Sequence, residues 1–213
     1  MVRNAELEIL DLGNRSAEFG RAIDAIDEVN DQDPHVVQAG GRVGPKELRH
    51  SILATQWLLK LDPTATEGQL LAARAHHLAR WKFPRDEYPT GRAGYLKWRA
   101  AAKKQHANDI ESILVDAGVD AETTGRTKQI VAKMDLKFDG QVQSHEDALC
   151  LVFLQTQLDE FAYQRGEEKT VEVLAKTMKK MSPAGIAMVS DIDLGESGER
   201  LLAQASEELS QQQ

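Results

Sequence analysis

An all-α fold is the class this 213-residue sequence predicts, and three observations predict it. Apolar residues recur at helical spacing in segment after segment. Short Gly, Pro and Asp breaks separate those segments. No window shows the β-branched alternation of a strand. The length suits one domain with a sizeable core.

The helices follow in chain order. Asn14 or Ser16 caps a first helix running to about Asn30, with Phe19, Ile23, Ile26 and Val29 on one face. NDQDPHVVQAGGRVGP reads as a loop, and Pro45 opens a second helix to Lys60 from the favoured N1 position. Thr64 or Thr66 caps a third, which carries EGQLLAARAHHLARW. WKFPRDEYPTGRAG reads as an ordered irregular loop. Helix resumes near Gly94 and runs to Gly118, and a shorter one spans Ala121 to Met134. A long helix from Ser144 to about Tyr163 ends before Gly166. Smaller helices over Glu167–Lys180 and Gly198–Leu209 fill the remainder, and the terminal SQQQ is expected to fray.

Composition narrows the chemistry. With 26 Lys+Arg against 34 Asp+Glu, the net charge of −8 argues against a general nucleic-acid coat or an anionic-membrane binder. No apolar run reaches membrane-spanning length, and the N-terminus lacks a secretory h-region, so a cytoplasmic location is the expectation. One cysteine, Cys150, excludes an internal disulfide and any CxxC site. Metal chemistry is left to six histidines and the carboxylates.

Four helices each carry an ionisable residue on the apolar face. His50 is in register with Leu53, Ala54, Trp57 and Leu61; His77 with Leu70, Ala73 and Trp81. His106 aligns with Ala102, Ile110, Ile113 and Ala117, and Asp147 with Cys150, Leu151, Leu154 and Leu158. His76 borders the face of His77. Buried imidazoles and carboxylates need partners or a metal, so convergence of these helices would make one site. A hydrogen-bonded core histidine is the alternative at each position taken alone.

Arg74 to Lys104 holds nine basic residues and only Asp86 and Glu87, a +7 segment in a chain that is −15 elsewhere. Arg80, Lys82, Arg85, Arg92 and Arg99 are candidate anion contacts, with Tyr95 or Trp98 as a stacking wall. A small phosphorylated molecule suits so local a patch better than RNA, which remains a lesser alternative partner. Its plain reading is a solvated basic face over packed aromatics.

The stretches RHSILATQWLLKL, LAARAHHLARW, KKQHANDIESILVDAG and HEDALCLVFL resemble successive helices of the HD-domain phosphohydrolase superfamily. That resemblance covers about residues 45–160 and leaves 166–209 as packing or dimerisation helices of a single domain spanning 1–213. It implies a bundle holding one divalent ion (Mn, Fe, Zn, Ni or Mg) through His50, His76, His77 and Asp147. His77, His106 and Arg80 would be catalytic, and Lys82, Arg85, Arg92, Tyr95, Trp98 and Arg99 would bind substrate. The doublet departs from the superfamily in being His-His, which removes a carboxylate while keeping ligating capacity. AARAHHLARWKFPRDEYPTGRAGYLKWR, between LRHSILATQWL and HEDALCLVFLQTQLDEFA, is similar to the domain of unknown function 4202 family, and there His77 is the more retained of the pair. The expected function is hydrolysis of a small phosphorylated, nucleotide-like substrate. A non-catalytic HD-like protein that binds a phosphorylated ligand or RNA is the alternative, and a homo-oligomer is compatible with either.

Overall fold

The computed structural model describes residues 15–211, so Asn14 as a cap and the last two residues of SQQQ lie outside the described residues. Ser16 caps α1 (Ala17–Asn30), its hydroxyl accepting from the Phe19 amide at 3.1 Å. A hairpin of β1 (Val36–Ala39) and β2 (Arg42–Pro45) follows, antiparallel, with Ala39 opposite Arg42. The segment expected as loop therefore contains two strands. Gly40 and Gly41, at φ +59° and +75°, make the two-residue turn that closes it. Each strand has four residues, too few for alternation to register in the sequence.

The remaining elements are helical: α2 (Lys46–Leu61), α3 (Glu67–Arg74), α4 (Gly91–Asp116), α5 (Ala121–Val131), α6 (Gly140–Arg165), α7 (Glu167–Met178), α8 (Pro183–Ala187) and α9 (Gly195–Gln211). Their caps follow the sequence. Thr66 and Gln69 form a capping box on α3, and Asp120 and Asp139 accept the first amides of α5 and α6. Helix α2 packs along α6, α3 and α4 pack on α5, and α7 packs against both α6 and α9. One core joins Ile23, Ile26, Leu58, Leu71, Ile110 and Leu151 to Leu174 and Leu201 of the C-terminal helices. The C-terminal third is thus part of the same core. Among the described residues, no helix is long and apolar enough to cross a membrane.

The third helix is shorter than its periodicity predicts. It stops at Arg74, and Ala75–Ala79 is a tight turn that ends with Ala79 at φ +52° and leads into a short 3₁₀ helix, Arg80–Lys82. The carbonyls freed there are taken up by imidazoles. His76 Nδ1 donates to Ala73 O and His106 Nδ1 to Leu78 O, both at 2.9 Å. The His-His pair is therefore presented by a turn, beside a cavity. The loop that follows lies flat on the start of α4, where a Cβ at Gly94 would come within 1.8 Å of Pro89 O.

Candidate functional site

Glu47 opens the site from the first turn of α2. Buried Asp33 anchors it, one carboxylate oxygen accepting the Glu47 amide at 3.0 Å and the other the His35 amide. That bond holds the backbone while the Glu47 side chain points inward, with Oε2 buried and without a hydrogen bond. Oε2 lies 3.4 Å from His77 Nδ1. Glu47, His76 and His77 each offer one ligand atom, and these atoms lie within 4.8 Å of one another. A carbonyl only accepts, so the proton of His76 sits on Nδ1, leaving the Nε2 lone pair available. Two imidazoles and one carboxylate with room beyond them is a donor set suited to Zn, Mn or Fe. The group could hold a metal ion, with Glu47 adding a carboxylate to the two imidazoles.

The pair faces a cavity of about 320 Å³. His50 and His106 line it as well, with ring centroids of His76 and His77 4.3 Å apart and of His77 and His106 6.0 Å apart. His106 Nε2 is buried without a partner. Burial, with Arg80 adding to it, lowers the pKa of His106 to about 4. Burial also holds His76 and His77 well below the ordinary value, helped at His76 by His77 and at His77 by Arg80, His106 and Lys133. All three rings are neutral at pH 7, the form that ligates metal.

Five cations line the same cavity: Arg80, Arg99, Lys103, Lys133 and Lys180. Among the described residues, no carboxylate lines it. Lys133 and Lys180 converge on buried Glu146 of α6, Lys180 at 2.9 Å. Burial pushes the Glu146 carboxyl up, but the two lysines outweigh it and leave its pKa at about 2. Lys133 closes α5 at φ +54°, where glycine is the usual residue, a conformation costing on the order of 1 kcal/mol. Leu149, Val152 and Phe153 of α6 give the cavity an apolar stretch of lining.

Several expected contacts lie elsewhere. Asp147 does not join the ligand group. Its Oδ1 accepts from Gln143 Nε2 and the Ser182 amide, both at 2.9 Å, and its Oδ2 accepts the Ser182 hydroxyl at 2.5 Å. The carboxylate is spent on anchoring α8. His50 lines the cavity but stands outside the group of three. The Thr156 hydroxyl gives its proton to Val152 O at 2.7 Å, so His50 Nε2 donates to Thr156 Oγ1 at 3.2 Å and that nitrogen has no lone pair for an ion. Arg85 clamps its own loop through Tyr88 O and Pro89 O, Lys82 sits over Trp81, and exposed Arg92 does not line the cavity. Trp98 lines it, but its indole donates to Phe83 O at 2.9 Å and Arg80 covers its ring at 4.9 Å, so it shapes Arg80 and stacks no base. Tyr95, half-exposed, keeps a place at the mouth.

Sequence reasoning passed over Glu47, Lys103, Lys133 and Lys180 as site residues. Glu47 did leave a signal, three residues before His50 on the same face of α2.

The domain of unknown function DUF4202 matches residues 20–202, nearly the whole chain. The chain belongs to that family. The match takes in every element from α1 into α9, so the Glu47–His76–His77 group and its cavity lie within the DUF4202 domain. No curated protein and no solved structure matches the chain.

Proposed function

We propose that the cavity is the active site of a metal-dependent hydrolase acting on a small phosphorylated substrate, on an HD-like helical scaffold. One observation carries the reading: two neutral imidazoles and a buried carboxylate with one oxygen free of hydrogen bonds converge beside a cavity that, among the described residues, is lined by five cations and no acid. Glu47, His76 and His77 would hold one divalent ion, which supplies Lewis-acid polarisation of a phosphoryl group and makes water easier to deprotonate. Arg80 binds phosphoryl oxygens, and the backing of Trp98 holds it in place.

His106 is the proton carrier. Its Nε2 takes the proton of the attacking water as oxygen bonds to phosphorus, then returns it to the ester oxygen as that P–O bond breaks. A base with a pKa of about 4 is weak at neutral pH. A bound dianion cancels the field of Arg80 and raises that value, so the base gains strength only with substrate in place.

Elemental analysis of the purified full chain, paired with a screen of phosphate monoesters and nucleotides, tests the reading. About one divalent ion per chain, lost in Glu47→Gln together with turnover, is the expected result. A protein that takes up no Zn, Mn, Fe, Ni or Mg overturns it. Ligand binding that ignores the metal, with no turnover, turns the site into a non-catalytic phosphate receptor.

A further inference from the structure

The cations of the cavity exceed what one phosphate needs. Among the described residues, Arg80, Arg99, Lys103, Lys133 and Lys180 have Glu47, near Arg80, and Glu146 as counter-charges, which leaves +3 before any metal is counted. Four of the five form one group reached from three directions. Arg99 and Lys103 stand one turn apart on α4, Lys133 follows α5, and Lys180 follows α7. Lys133 and Lys180 are held by the same buried carboxylate, Glu146, so neither is a free-swinging surface side chain. Lys133 holds its place in a left-handed backbone conformation that glycine adopts more readily. Burial lowers the pKa of Lys103, and the charges of Lys133 and Arg99 add to it.

We infer that Arg99, Lys103, Lys133 and Lys180 form a second anion subsite beside the Glu47–His76–His77 group, and that it takes a second phosphate of the substrate. The ligand class is a molecule with two phosphate groups, and its charge matches the excess of the cavity. As a statement about substrate this rests on the hydrolase reading; as a statement about anion binding it stands without metal. Glu146 is the positioning residue, orienting two ammonium groups while cancelling only one charge.

Titration of the metal-free full chain separates the two. Inorganic pyrophosphate should bind at least tenfold more tightly than orthophosphate, with no divalent ion present. Lys103→Met and Lys133→Gly should each weaken pyrophosphate binding about tenfold, while Arg92→Ala leaves it unchanged. Glycine suits the left-handed position, so Lys133→Gly removes the charge without forcing the turn, and a retained thermal transition verifies the fold. Equal affinity for the two anions, or lysine variants that bind as the parent does, overturns the subsite. Pyrophosphate binding by a chain that never takes up metal keeps the subsite and removes the hydrolase. Metal uptake without pyrophosphate preference does the reverse.

Discussion

Glu47 and Asp147 are both buried carboxylates on helices that flank the core, and their surroundings are opposite. Asp147 has both oxygens engaged, by Gln143 and twice by Ser182, and the backbone of α8 presses so close that a Cβ on Gly185 would fall 2.6 Å from the Asp147 Cγ. Glu47 has an oxygen with no hydrogen bond, two imidazoles close by, and a cavity in front of them. Saturation marks a group that builds structure. An unpaired buried acceptor carries a standing cost, and it persists where something else is meant to occupy it.

Substitution at these two acids should break the pair apart in opposite directions. Glu47→Gln should lower affinity for a divalent ion by about 100-fold or more, since even outer-shell changes cost 10–100-fold. Its unfolding midpoint in the presence of chelator should stay near the parent value. Asp147→Ala strands the Ser182 amide and hydroxyl, and should cost about 3 kcal/mol in denaturant unfolding while metal uptake persists. Loss of metal in Asp147→Ala with stability intact would reverse the assignment of the two acids.

The contrast also explains what was legible beforehand. The helices were readable because apolar spacing is local, and Ser16, Thr66 and Gly166 stand where the helices begin or end. The end of α3 was not, because Ala79 takes a left-handed conformation with no glycine to announce it. His76, His77 and His106 were found through their apolar faces, and all three line one cavity. Asp147 shares that face pattern yet faces Ser182, because periodicity reports burial and says nothing of the partner. Glu47 and Lys133 were passed over for the converse reason. An acid in a first turn and a lysine after a last turn are what any helix dipole favours.

A smaller effect should appear with pH. Burial, reinforced by Lys133 and opposed by Glu146, lowers the pKa of His145 to about 3, and His106 sits at about 4. Above pH 6.5 both rings are neutral folded or unfolded, and neither makes stability depend on pH. Below 6.5 the unfolded chain takes up protons that the fold refuses, so metal-free stability should fall as pH drops. The slope is on the order of 1 kcal/mol per pH unit for each ring, down to about pH 4. Both ring nitrogens of His145 are buried without a partner. His145→Leu should therefore flatten the profile and raise stability at pH 7 by roughly 1 kcal/mol. A loss at pH 7 would show that the ring is held by more than packing.

The smallest effect tests the comparison at the surface. Lys82, Arg85 and Arg92 share the +7 segment with Arg80 and Arg99, yet only the last two line the cavity. If net charge along the sequence governed anion binding, all five would matter alike. If the cavity governs it, Arg80→Ala should weaken phosphate binding about tenfold, the scale of one charged hydrogen bond. Lys82→Ala and Arg92→Ala should change it less than twofold, because salt screens exposed charges beyond about 10 Å. Arg85→Ala separates itself from both. It releases the carbonyls of Tyr88 and Pro89, so it should loosen the loop over α4 and register in proteolysis before it registers in binding. Equal losses across Lys82, Arg92 and Arg80 at 150 mM salt would return the function to the basic segment as a whole, and with it the RNA reading.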